Sequence, residues 1–256
     1  MFKKMSGFKI IIFIILFSLT SCTSKKKIAY FQDLKNDFSV MNYEPTLQED
    51  DVLMIVISSI NPEVAAPYNL KTVIIQSNSE VSLAQERLQT YLIDQEGNIE
   101  FPILGKVHLA GLTRTEGVEL IKKKLNSHIK DPVVNLRILN YKISVLGEVN
   151  KPGVYPLQSE RITLVEAISL AGDLSIYGKR TDVLVIREDK GVKTINKVDL
   201  TNSDFVNSDF YYLNQNDVVY VEPNKTKVNS SIIGPNVAIG ISAVSLLVTI
   251  LALTIR

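Results

Sequence analysis

Hydrophobic residues along this chain change period several times, and each change marks an element. Val52-Leu53-Met54-Ile55-Val56-Ile57 is a β-branched apolar run that predicts the first strand. Residues 58 to 90 are polar, with Asn61-Pro62 and Ala66-Pro67 as breakers, and read as an extended loop or insertion carrying a short strand over 73 to 75. Tyr91-Leu92-Ile93 and Ile99-Glu100-Phe101-Pro102 flank Asp94-Gln95-Glu96-Gly97-Asn98, a hairpin pattern in which Gly97-Asn98 suits a turn of positive φ. Thr113-Arg114-Thr115-Glu116 is a capping box ahead of Val118, Ile121, Leu125 and Ile129, which share one helix face, and Asp131-Pro132 is the expected stop. Val134, Leu136 and Ile138 then alternate with Asn135 and Arg137, as a strand with one buried face does.

The second half repeats this logic. A strand over 143 to 146 leads through Asn150-Lys151-Pro152-Gly153 to Val154-Tyr155-Pro156, and Thr163-Leu164-Val165-Glu166 opens a short capped helix that stops at Gly172. Strands follow over 183 to 186 and 218 to 221, with a third over 191 to 200. Leu47, Asp51, Val52, Leu53 and Ile55 have the spacing of Leu213, Asp217, Val218, Val219 and Val221. The repeated opener predicts an α+β chain of two small mixed α/β domains, each pairing strands around one helix.

Both ends read as membrane attachments. Lys3, Lys4 and Lys9 precede an uncharged run over 10 to 19, the build of a secretory signal over 1 to 21. Leu19-Thr20-Ser21-Cys22 matches a lipobox, so the mature chain is expected to begin at a lipidated Cys22, followed by a linker over 22 to 42 in which Lys25, Lys26 and Lys27 face either headgroups or solvent. Cys22 is the only cysteine, so no intramolecular disulfide is possible. At the other end, a linker over 224 to 235 leads to a mostly apolar run over 236 to 255, and a helix of that length is about 30 Å long, the thickness of a hydrocarbon core. This predicts a C-terminal transmembrane helix. Along it Ala238, Ser242, Ser245, Thr249 and Ala252 follow four-three spacing, placing small or hydroxyl side chains on one stripe. That stripe is expected to be either a dry helix contact or a wet pore face.

Composition then removes several classes of function. The formal net charge of +1 gives no sign of nucleic-acid binding. With only His108 and His128, a multi-histidine metal site is impossible, and no HExxH, GxSxG or CxxC occurs. The glycines of 172 to 179 are wrongly spaced for a phosphate loop, and Arg180 stands where Ser or Thr is needed. No cofactor and no catalytic residue is expected. The absence of Trp argues against a deep sugar-stacking groove, while ten Tyr leave weaker aromatic contacts.

Ile143-Ser144-Val145-Leu146-Gly147-Glu148-Val149-Asn150-Lys151-Pro152-Gly153-Val154-Tyr155 resembles the strand and Gly-Glu-Val-x-x-Pro-Gly turn of the soluble-ligand-binding β-grasp domain in the polysaccharide biosynthesis/export family. Ile162 to Ile168 with Ala171-Gly172 resemble that domain's helix, and Gly97 to Gly105 with Leu109 to Thr113 are similar to the export domain. The resemblance implies an export domain over 43–140 and a β-grasp domain over 141–223. In the turn, Pro152 fixes φ and Gly153 can take the left-handed conformation, so Gly147, Glu148, Pro152 and Gly153 are expected to shape the fold and not to react. Asp50-Asp51 departs from the family's usual Gly-Asp, and Gly172-Asp173 from its common glycine pair. The family further implies an outer-membrane channel for capsular polysaccharide or exopolysaccharide, its soluble domains in the periplasm. Its expected partners are copies of itself in a homo-oligomeric ring, an inner-membrane polymerase or co-polymerase, the polymer and membrane lipid. The competing reading is a periplasmic binding or scaffold lipoprotein that forms no pore.

Overall fold

A computed structural model of the protein describes the backbone of residues 28–33, 43–78, 81–189, 191–232 and 235–254, with side chains except at 72–87, 232, 235–238, 244, 248 and 251–254. The first half runs β1 (Val52–Ser58), the short helix α1 (Pro62–Ala65), β2 (Lys71–Asn78), β3 (Val81–Leu88), β4 (Tyr91–Leu92), β5 (Asn98–Phe101), β6 (Gly105–His108), helix α2 (Arg114–Leu125) and β7 (Val133–Ile138). β1 is the middle of a three-stranded antiparallel sheet of order β4-β1-β7. Its inward residues Leu53, Ile55 and Ile57 are buried and alternate with half-buried ones, the period-two burial that fixes register. Helix α2 lays Gly117, Ile121 and Leu125 into the core. A Cβ on Gly117 would sit 3.2 Å from Leu47, so the helix approaches closely there because glycine allows it. Both parts of its capping box form, with Glu116 N donating to Thr113 Oγ1 and Thr113 N to Glu116 Oε2.

The second half runs β8 (Lys142–Gly147), β9 (Gly153–Pro156), helix α3 (Leu164–Leu170), β10 (Gly178–Asp189), β11 (Val192–Val198), β12 (Val218–Pro223) and two terminal helices, α4 (Lys225–Ile232) and α5 (Pro235–Thr254). The sheet order is β11-β10-β12-β8-β9, antiparallel except for the β12–β8 pair, which is parallel. Ile143, Val145, Val183, Val185, Val219 and Val221 are buried on the face covered by Leu164, Ala167 and Ile168 of α3. The chain is therefore α+β, its two larger sheets each served by a helix and the β2–β3 and β5–β6 pairs forming two-stranded sheets of their own.

The repeated opener is visible in three dimensions. Asp51 Oδ2 accepts from Gln48 N at 2.8 Å, and Asp217 Oδ2 from Asn214 N at 2.8 Å. The preceding residues, Asp50 and Asn216, have φ of 65° and 64°, a conformation that Asp and Asn tolerate better than other non-glycine residues. This is the reason a glycine suits that position, and Asp50 fills it without changing the turn. Between the sheets Asn140 is the joint: its side chain accepts from Val52 N and donates to Asp50 O, while Gln215 donates to its carbonyl.

Several expectations are corrected. The stretch over 58 to 90 holds α1 and a long β2–β3 hairpin rather than one short strand. Val81–Leu88 contains Ala, Gln, Glu and Arg, poor strand formers, and backbone pairing overrides that preference. The turn at Gly97 forms, with φ 79°, but its flanks do not pair as expected: β4 joins β1 and β5 pairs with β6. A second, tighter turn through Pro102 to Gly105 captures β5, with Leu104 N donating to Pro102 O at 2.7 Å. Helix α2 ends at Leu125 rather than at Asp131-Pro132, although Ile129 remains buried. Part of the expected linker, residues 28–33, is docked on the second domain.

The apolar run near the C-terminus is helical as α5, yet among the described residues no helix is long and apolar enough to cross a membrane. The transmembrane crossing expected over 236–255 is thus not shown.

Candidate functional site

The Gly-Glu-Val-x-x-Pro-Gly turn lies at the end of the second sheet from which α4 departs. Gly147 ends β8 beside β12 with φ 89°, and a Cβ there would stand 2.1 Å from Val221 O. Only glycine fits, because Glu148 N must reach the same carbonyl, at 2.9 Å. Gly153 does not have the left-handed conformation considered for it. It opens β9 paired with Val145, and open space surrounds the place of its Cβ. Pro152 is exposed just before it.

Glu148 does more than shape the turn. Its Oε2 accepts from Ser175 Oγ at 2.8 Å, its carbonyl from Ser175 N at 2.9 Å, and its Oε1 lies 3.9 Å from Lys227 Nζ on α4. Lys227 also sits 5.2 Å from the ring centroid of Tyr177, and Asn224 N donates to Tyr177 O. Asn150 donates its side-chain amide to Gly172 O, and its backbone N–H donates to Asp173 O. Gly172 and Asp173 have φ of 74° and 70°, two successive left-handed residues, which explains why a glycine pair suits this place. Asp173 uses the freedom differently, its Oδ1 accepting from the Tyr30 hydroxyl at 2.5 Å. The loops over 147–151 and 172–178 thus form a collar that holds the incoming arm and the outgoing helix together.

Sequence reasoning singled out the turn but missed Tyr30, Asp173, Ser175 and Lys227. The available signal was the adjacent Tyr30-Phe31 pair in a stretch of mixed polar and apolar residues without a period. Cys22 and Lys25 to Lys27 lie outside the described residues. Of the stripe, Ser242, Ser245 and Thr249 are exposed on α5, and Thr249 Oγ1 donates to Ser245 O at 2.8 Å within the helix; the side chains of Ala238 and Ala252 lie outside the description. Ile239, Ile241, Leu246, Leu247 and Ile250 are exposed as well, so the described part of α5 packs neither face against the domains.

The two strand openers differ electrostatically. Asp217 is buried and met by a forked Arg187, whose Nε and Nη2 both reach the carboxylate, the closest at 2.7 Å. Burial pushes the Asp217 carboxyl up and Arg187 pulls it back. Asp51 has no such cation. Its Oδ1 is buried without a hydrogen-bond partner, and burial, with Glu160 and Asp50 adding to it, pushes the carboxyl up to about 6. A groove of about 630 Å³ runs beside α3, lined in part by Leu157, Gln158, Arg161, Ile162 and Glu166. Its carboxylate, Glu166, is occupied by the capping box with Thr163. A paired acid and base of glycosidase type is therefore not assembled in this groove. Among the described residues no group of His, Cys, Asp and Glu could hold a metal ion.

The architecture defines an α+β chain of two domains, the second of which holds both residues 28–33 and the start of α4. Residues 40–139 match the polysaccharide biosynthesis/export protein family, and residues 141–221 match the SLBB domain. The chain is 32% identical over 146 residues to the EPS I polysaccharide export outer membrane protein EpsA of Ralstonia solanacearum, covering 55% of this chain and 38% of that protein. It is also 32% identical over 130 residues to EpsA of Ralstonia nicotianae, covering 49% of this chain and 33% of that protein. The chain belongs to the polysaccharide biosynthesis/export family. Its matched part spans little more than a third of the length of these relatives.

Proposed function

We propose that the protein is a subunit of an outer-membrane channel exporting capsular polysaccharide or exopolysaccharide. In this reading Cys22 carries lipid, an export domain over 43–140 and a β-grasp domain over 141–223 occupy the periplasm, and α5 inserts in the outer membrane. The observation that carries it is α5 itself: an apolar helix exposed on its described faces, leaving a domain of this family, needs lipid or other copies of itself around it. One helix encloses no lumen, so conduction requires a ring of copies in which the stripe of Ser242, Ser245 and Thr249 faces a neighbour or the pore. The relatives' names, polysaccharide export outer membrane proteins, support both substrate class and membrane. An inner-membrane polymerase or co-polymerase would deliver the polymer to the export domain. The family role is transport, and no catalytic step is assigned to any residue. A binding or scaffold lipoprotein without a pore is the competing reading. The mass and shape of the detergent-purified particle decide between them: a closed ring supports export, and a monomer refutes it.

A further inference from the structure

Residues 28–33 are held by three kinds of contact. Phe31 N donates to Leu200 O at 3.2 Å and Gln32 N to Thr201 O at 2.8 Å, while Ser203 Oγ donates to Asp33 O at 2.5 Å. The Tyr30 hydroxyl is bound to Asp173, and the Arg180 guanidinium covers the same ring at 5.3 Å from its centroid. Phe31 stacks on Phe205 at 5.4 Å, and a chain of ring contacts continues through Tyr211 and Tyr212 to Tyr43, with centroid separations of 6.1, 4.9 and 4.8 Å. Tyr43 in turn donates its hydroxyl to Leu213 O at 3.0 Å. Backbone pairing, a charged aromatic contact and ring stacking on four consecutive residues are what a docked segment has and a free tether lacks.

The place of docking matters. Tyr30 is bound to the loop that Asn150 and Ser175 tie to Glu148, and Glu148 faces Lys227 of the outgoing helix. From Tyr30 the chain back to Cys22 reaches at most about 28 Å even when fully extended. We infer that residues 30–33 are a strap that fixes the lipidated end of the chain to the two loops that hold the start of α4. Lipid and helix then meet the membrane as one mount, their separation bounded by the short chain between Cys22 and Tyr30, not as two independent tethers. The mount rests on the proposed lipidation of Cys22; the strap itself does not.

The test uses full-length protein in detergent, digested briefly with chymotrypsin and followed by mass spectrometry. A docked strap is cut slowly after Tyr30 and Phe31. Phe205→Ala should accelerate those cleavages by about tenfold or more, because the stacking partner of Phe31 is gone. Tyr30→Phe keeps the cleavage site, removes only the hydroxyl bound to Asp173 and lies outside the domain core, so it should accelerate them to a lesser degree while the domains melt as in the wild type. Wild-type cleavage as fast as in Phe205→Ala, or no acceleration in Tyr30→Phe, overturns the strap. The mass of the released amino-terminal fragment is read in the same spectra. A fragment without acyl mass overturns the anchor and with it the mount, while fast cleavage of an acylated wild-type fragment overturns the strap alone.

Discussion

Asp51→Asn separates the two strand openers by charge. In the wild type the Asp51 carboxyl is fully buried, has one oxygen without a partner and is pushed from 3.8 up to about 6. A carboxyl raised in the folded state holds its proton there after the unfolded chain has released its own, so stability falls as pH rises from about 3.8 through about 6, and stays low above. At about 1.4 kcal/mol per pH unit, the contribution lost across that window is on the order of 3 kcal/mol. Asparagine keeps the acceptor for Gln48 N and does not ionise. The stability of Asp51→Asn relative to wild type should therefore improve by on the order of 2–3 kcal/mol between pH 4 and pH 7.5, the extra amide donor taking back part of the gain at every pH. Urea unfolding of the soluble two-domain portion, with tryptophan-free tyrosine fluorescence or circular dichroism as signal, measures that difference. A difference that is flat across the range, or that shifts toward the wild type, would show that Asp51 is paired in solution by a group not seen beside it.

Three further outcomes are expected. Gly147→Ala should cost about 3 kcal/mol or more, since the new Cβ would overlap Val221 O, whereas Gly153→Ala should stay within about 0.5 kcal/mol; thermal melts of the pair check both. Arg187→Ala should cost about 3–5 kcal/mol at neutral pH by leaving Asp217 buried and unpaired, and Arg187→Ala with Asp217→Asn should recover part of it in a double-mutant cycle. Cys22→Ser should leave an unprocessed precursor without thioether lipid in intact-mass spectra, and a wild-type mature protein lacking acyl mass would count against lipidation.

The elements that could be read from sequence are those whose signal is local. The capping boxes at Thr113 and Thr163 specify helix starts because their partners lie three residues away, and the alternation in Leu53, Ile55 and Ile57 needs only its own strand. The echo between Asp51 and Asp217 survived for the same reason, being one turn repeated. Pairings between distant segments did not show. Nothing local tells that Tyr91–Leu92 joins Val52–Ser58 while Asn98–Phe101 turns onto Gly105–His108. The collar was half legible: Gly147 and Glu148 stand in a recognisable motif, but whether Gly147 or Gly153 carries the positive φ depends on β12, far along the chain. Tyr30 and Phe31 were hidden because two aromatics without periodicity give no pattern, and their receptors, Asp173 and Phe205, come from separate loops.

The position of β12 bears on how the protein is made. It is the last strand in the chain, yet it occupies the centre of its sheet, hydrogen-bonded to residues 144–147 on one side and 183–186 on the other. Without it the five-stranded sheet falls into two separate hairpins, each with an open edge and half a core. The second domain therefore cannot close until residues 218–223 have left the ribosome and, for a secreted chain, emerged from the translocation channel. Until then the second domain keeps open strand edges that must be shielded from aggregation. The order of strands thus delays closure of this domain until residues 218–223 are available.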